Sequence, residues 1–333
     1  MKRWLLIAAV ALPLGAGHTA YWFWATQQLQ VGFDRWVALR RASGLIVQAG
    51  TARTGGWPGA ATLSVAATVL EERGPGGALW QSERVVLRVD LHNPTTLHIN
   101  SEGNQRLRLP DAREVPFSAA LLRVTFPLNP GAPVSVDVEV EGLQARLPAD
   151  EEITLGSLIA RGDLRPTAPT LTVRAKDIRL PMALMPAFGG HIDAIALDAA
   201  LNGAPPLAAM PFEAARHWRD TGGKLEIAQL HVKADSFAMT GDGSLTLDAQ
   251  LQPVGSGTAR ISGHAALLDA LVTAHLMEPR AARGAKAMLN LLARPDPAGG
   301  PGLVEVPVAL RDRTLSLHQF AVLRFPALIW PGR

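Results

Sequence analysis

The sequence predicts a mainly β protein: antiparallel meandering sheets with an N-terminal membrane-anchor helix and a few short amphipathic helices. Three observations predict it. Beyond Gly44 the dominant hydrophobic period is two, as in Val134, Val136, Val138 and Val140 against Ser135, Asp137, Glu139 and Glu141, the mark of half-buried strands. These runs are short and separated by Gly, Pro, Asn and Asp turn residues, which favours meanders of adjacent antiparallel strands. Before them lies one long apolar segment with two basic residues at its head, Lys2 and Arg3.

That segment, Trp4 to Ala25, is long enough to span a bilayer, which needs ~20 apolar residues. The leading cations place its N-terminus in the cytoplasm, and Trp4, Tyr21, Trp22 and Trp24 suit the membrane interfaces. The body would then lie in the periplasm of a single-pass inner-membrane protein. A cleaved signal peptide is the rival, with small residues at Gly15 to Gly17 after an apolar region of fitting length. A retained anchor is favoured, because cleavage would leave an aromatic cluster exposed at the new terminus. Leu29, Phe33, Trp36 and Val37 recur at helical spacing up to Arg40, Arg41 and Gly44, a C-terminal helix signal. The anchor thus continues as a helix with an apolar stripe for the body, and residues 1–44 form one segment.

An N-terminal β half, 45–165, carries strands such as RVVLRVDLH from Arg84 and PVSVDVEVEG from Pro133. A change of phase at Gly142 marks a bulge. The seam falls within Pro148 to Thr170. The C-terminal β half, 166–333, contains helices near 211–219 and 265–294, the latter broken near Glu278-Pro279. HWRDTGGKLEIAQLHV, from His217, reads as helix end, turn and strand with an irregular step at Ala228-Gln229. Asp242-Gly243 is a strong short-range hairpin signal between Phe237–Met239 and Leu245–Leu251.

Charge and composition narrow the function. A net charge of +3 with scattered arginines lacks the basic clusters of a nucleic-acid partner. The chain has no cysteine, which removes thiolate ligands, disulfides and a cysteine nucleophile. GxSxG, HExxH and P-loop motifs are missing. His217, Arg219 and Asp220 are explained by a helix C-terminus and turn. Asp90, His92, His98 and Asn100, around an Asn-Pro turn, would need a third convergent ligand to hold a metal. Accordingly no catalytic residue, cofactor or metal is assigned. The stripe Leu267, Leu268, Leu271, Val272 and Leu276 is a candidate lid over an apolar groove, weighed against ordinary core.

The Trp218-Arg-Asp-x-Gly-Gly segment and GDGSLTLDAQL from Gly241 resemble a signal-anchored proteobacterial envelope family known only as a domain of unknown function. The N-terminal YWFWA, the LHNPTTLHI turn and the tail VPVALRDRTLSLHQF are similar to it as well. At Arg313 and His318-Gln319 the chain departs from the Gly and Gly-Pro that the family pattern implies. The layout is also similar, in architecture alone, to AsmA-type envelope proteins, which implies handling of phospholipid. The expectation is a non-enzymatic envelope protein that holds lipid or acyl chains. A scaffold for an envelope protein partner is the alternative, and a periplasmic hydrolase a remote one. An open groove lined by Val, Leu and Ala favours lipid; a packed interior favours the scaffold.

Overall fold

The computed structural model describes residues 2–72, 77–108, 114–128, 135–147, 151–165, 168–182, 189–203, 211–235, 237–273, 277–294, 302–317, 320–325, 327–328 and 330. It divides into two compact units, Met1–Ile153 and Thr154–Arg333. The architecture is mainly β, and every strand pair is antiparallel.

The first unit opens with helix α1, Lys2–Ala42. Strands β1 (Leu45–Gln48) and β2 (Ala52–Gly55) share one edge of β3 (Ala60–Glu72). The sheet continues through β4 (Leu79–Asp90) and β5 (Asn93–Arg108). Beyond β5 the edge is divided between β6 (Glu114–Ser118) and β7 (Leu121–Pro127). Strand β8 (Ser135–Arg146) pairs with β7 up to Glu141 and with β6 from Gln144. The change of partner falls at Gly142, whose φ of 58° is left-handed, a conformation open to glycine at little cost. The phase change expected there is thus a strand switching neighbours. Val134 lies outside the described residues.

Alternation explains the core of this unit. Leu63 and Val65 of β3 face Leu87 and Val85 of β4 and are buried together, with Leu97 and Ile99 of β5 against them. Helix α1 adds Leu29 and Phe33 to the same cluster, as the helical stripe requires. The helix is pinned at two places. His18 Nε2 donates to the Pro58 carbonyl at 2.7 Å and Trp22 Nε1 to the Ala60 carbonyl at 2.9 Å. Near its other end Arg41 donates through Nε and Nη2 to the Val47 carbonyl at 3.1 and 2.7 Å.

Among the described residues no helix is long and apolar enough to cross a membrane. From His18 onward the segment expected to span is engaged with the sheet.

The second unit is an unbroken meander: β9 (Glu152–Asp163), β10 (Thr170–Arg179), β11 (His191–Asn202), β12 (Lys224–Ala234), β13 (Phe237–Leu247), β14 (Pro253–Ser262), β15 (Val304–Arg311), β16 (Thr314–Leu317) and β17 (Phe320–Arg324). Helix α2 (Pro211–Asp220) precedes β12. Helices α3 (His264–Thr273) and α4 (Pro279–Leu292) sit between β14 and β15, with Pro279 in the first turn of α4 as expected. Ala228 is skipped in the register between β11 and β12, so the irregular step forms where the sequence shows it.

The Asp242-Gly243 hairpin is a correction. These residues lie inside β13, paired with Thr258 and Gly257 of β14, while Gly243 also faces Ile227 of β12. The reversal comes later, where Asp248 Oδ1 accepts from the backbone N–H groups of Gln250 and Gln252, both at 2.8 Å, and Leu251 takes a positive φ. Pairing on both sides overrides the local turn preference. The facing glycines permit it: a Cβ on Gly257 would meet the Asp242 carbonyl oxygen at 2.1 Å.

Candidate functional site: an apolar groove beside helix α1

The residues of HWRDTGG form a structural joint. Trp218 is buried and its Nε1 donates to the Asn202 carbonyl at 3.0 Å. Gly222 has φ 76°, and the Gly223 N–H donates to the Trp218 carbonyl at 2.7 Å, a glycine-terminated helix end. Arg219 pairs with Asp220 and reaches the Ala249 carbonyl at 3.1 Å. His217 contributes its carbonyl to Thr221 Oγ1. Every residue of the stretch is used to end α2 and launch β12.

At the Asn93-Pro94 turn, His98 shares a hydrogen bond with Thr125 Oγ1 at 3.1 Å, and Asp90 pairs with Arg88. No cluster of three His, Asp or Glu side chains able to hold a metal occurs among the described residues. Perturbed ionisation belongs to surface pairs across neighbouring strands. Hydrogen bonding from Arg174 holds the Asp198 carboxyl below its ordinary range, and Glu305 raises Arg260 by the same means.

Of the lid candidates, Leu267, Leu268 and Leu271 pack into hydrophobic clusters. Leu268 and Leu271 of α3 are buried against Ala285 of α4, with Leu267, Met277 and Leu289 around them. Leu267 and Leu289 also touch the cluster of Phe237, Ala259, Ile261, Val304 and Val306. Val272 is partly buried, and Leu276 lies outside the described residues. The stripe closes the core of the second unit.

The cavity that stands out is in the first unit, between α1 and the face of β3, β4 and β5. It has a volume of about 630 Å³, inside the ~300–1,000 Å³ range of small-molecule sites. Helix residues 21, 24, 28 and 32, spaced by three and four, give α1 a second stripe beside the one that docks on the sheet. On the sheet side are Leu70, Trp80, Val85, Leu87, Val89 and Ile99. Among the lining side chains only Gln28 and Thr68 carry an amide or an aliphatic hydroxyl, and none is charged. Gly32 contributes empty width: a Cβ there would have nothing within 4 Å.

The expected aromatic belt therefore divides. Tyr21 and Trp24 stack with ring centroids 5.8 Å apart and line the groove. Trp22 turns onto the sheet. The side chain of Trp4 lies outside the described residues. The groove itself escaped sequence reasoning, which took Leu29 and Phe33 as a docking stripe and stopped there. The available signal was the neighbouring stripe, in which a glycine, Gly32, stands on an otherwise bulky face.

A smaller cavity in the second unit, about 430 Å³, is lined by Gln250, Gln252, Arg313 and Trp330 among others. Two of its polar side chains, Gln252 and Trp330, hold the C-terminal segment. Gln252 exchanges two hydrogen bonds with the backbone of Leu328, and Trp330 Nε1 donates to the Leu251 carbonyl.

The chain belongs to the bacterial family DUF2125, described as an uncharacterized protein conserved in bacteria, whose model matches residues 22–326. Every groove-lining residue except Tyr21 lies within the matched segment. No curated protein and no solved structure matches the chain.

Proposed function

We propose that this protein is a non-enzymatic, membrane-anchored envelope protein that holds an acyl chain in the groove between α1 and the first sheet, with its body in the periplasm. The observation that supports it is the groove: about 630 Å³, lined almost wholly by aliphatic and aromatic side chains without a charge. Each methylene transferred from water into such a lining gains ~0.8 kcal/mol. A slot of this size with so few polar groups selects for apolar length above all. The groove also adjoins the segment of α1 that carries exposed Leu12, Leu14, Phe23 and Trp24. Exposed apolar side chains of this size are suited to a lipid surface, so one helix would both tether the body and line the binding slot.

Gly32→Trp tests the reading. The indole projects into open groove, and removing a glycine from a helix interior favours the helix. Native mass spectrometry of the full-length protein extracted in detergent should show lipid-mass adducts on the wild type and their loss in the variant, with circular dichroism unchanged. A lipid-free wild type, or a folded variant that keeps its adducts, would exclude the acyl site.

A further inference from the structure

The face of the sheet under α1 is interrupted by one polar row. Thr68 of β3 stands opposite Ser82 of β4, and Ser82 opposite Gln105 of β5. All three are buried, at 4%, 0% and 1% exposure. Thr68 and Ser82 reach this face through local irregularities: Ala67 has φ 47°, and Glu83 is skipped between the paired residues Ser82 and Arg84. Each shifts the parity of its strand, which from Leu63 and Val85 would otherwise turn Thr68 and Ser82 outward. Gln105 keeps the parity of Leu97 and Ile99, because two residues, Gly103 and Asn104, stand opposite Glu83.

The middle member is satisfied and the outer two are not. Ser82 Oγ donates to the Arg84 carbonyl at 3.0 Å and lies 2.7 Å from Ser101 Oγ. Gln105 Oε1 accepts from Trp80 Nε1 at 3.0 Å. An indole N–H only donates, which fixes the amide with its nitrogen at the other end. That nitrogen, Gln105 Nε2, and the hydroxyl Thr68 Oγ1 are buried without a hydrogen-bond partner. Thr68 and Trp80 both line the groove, while Gln105 is not among its lining residues and is bonded to Trp80. A buried polar group without a partner is costly, and the one on the groove wall calls for an acceptor.

We infer that Thr68 binds the uncharged carbonyl of an acyl ligand, so that the groove takes an acyl ester in preference to a free fatty acid or a plain hydrocarbon. The inference rests on the reading of the groove as an acyl site. The unpartnered Thr68 hydroxyl can donate to a carbonyl or ester oxygen. A carboxylate would be disfavoured, because no cationic side chain lines the groove and an ionised group buried without a counter-charge is heavily penalised. Of the two cations of β5 beyond Gln105, Arg106 is exposed and Arg108 is already paired with Glu71.

Tryptophans at the groove, Trp24, Trp36 and Trp80, make quenching by brominated chains a direct readout. The probes are the methyl ester of a brominated octadecanoic acid, the same acid ionised at alkaline pH, and a brominated octadecane, each added to the full-length protein in a non-quenching detergent. The wild type should bind the ester roughly tenfold more tightly than the alkane, as expected for one added hydrogen bond, and the ionised acid more weakly than the ester. Thr68→Val, which keeps the shape and removes the hydroxyl, should bring the ester down toward the alkane and leave the alkane unchanged. Thr68→Ser should retain the preference. Equal binding of ester and alkane by the wild type would overturn the role of Thr68 while the groove stands; quenching by none of the probes would overturn both. An ester preference intact in Thr68→Val would reduce the row to sheet structure.

Discussion

Trp22 Nε1 lies 2.9 Å from the carbonyl oxygen of Ala60, a residue thirty-eight positions later in the chain and almost fully buried. The same N–H is 3.3 Å from the Gly55 carbonyl. One indole thus ties α1 to the start of β3. Trp22→Phe keeps the ring packing and removes the donor, so the Ala60 carbonyl loses its side-chain partner. The expected loss is about 1–3 kcal/mol in chemical denaturation of the full-length protein. His18→Ala removes an exposed bond and should cost well under ~1 kcal/mol. Equal losses in the two variants would show that Trp22 is not the principal pin.

Gly223 is held against an aromatic face. A Cβ at this position would lie 2.3 Å from Trp218 Nε1, and that nitrogen is itself fixed on the Asn202 carbonyl. Gly223→Ala must displace the indole or the strand, at about 1–3 kcal/mol for an overpacked site. Asp220→Ala and His217→Ala act on exposed groups at the helix end and should each change stability by less than ~1 kcal/mol, with no reaction abolished. Thermal melts of the three variants give the order directly; a larger loss from Asp220→Ala than from Gly223→Ala would reverse the roles assigned to this stretch.

What was legible in the sequence was whatever local chemistry fixes by itself. Gly142, Pro279 and the Asp-Thr-Gly-Gly turn mark the backbone events that the structure contains, because glycine opens positive φ, proline fixes φ and removes a donor, and Asp takes the turn, each on its own. The Asp242-Gly243 signal failed because strands on both sides compete for the same backbone groups, and that competition is not local. The groove was hidden for a related reason. Its stripe on α1 and the stripe that docks overlap on one helix, so periodicity reports a single apolar face. Thr68 reaches the interior only after an irregular step at Ala67, so a period-two reading from Leu63 turns it to the wrong face, whereas Gln105 keeps the parity of Leu97 and is disguised only by its polar type.

Asp312 and Arg313 form the two-residue turn between β15 and β16, with φ values of 49° and 63°. Both central residues of such a hairpin take positive φ, a preference met best by Asn-Gly or Asp-Gly. The tight turn therefore survives the arginine that stands where the family resemblance implies glycine; His318 and Gln319 lie outside the described residues. Arg313→Gly removes the Cβ strain, worth ~1–2 kcal/mol, and part of this is lost to the greater freedom of the unfolded chain. A net gain of roughly 0.5–1 kcal/mol is expected in the denaturation midpoint. A loss instead would mean that the Arg313 side chain contributes more in the adjoining cavity than its backbone conformation costs.

Leu271 decides between lid and core. It is 5% exposed, beside Leu268 at 6%, and closed over by Ala285 of α4. Leu271→Asp would bury a carboxylate with no cation in that cluster, at a cost of several kcal/mol, comparable to the net stability of a domain. The full-length variant should fail to accumulate. Leu271→Ala opens a cavity at about 2–5 kcal/mol, and Leu271→Met conserves volume at less than ~1.5 kcal/mol; both give folded material to examine. None of the groove-lining residues comes from α3, so the Ala variant should melt earlier yet carry the same lipid adducts as the wild type. Lipid lost from Leu271→Ala while its melting temperature stays unchanged would return this helix to the role of a lid.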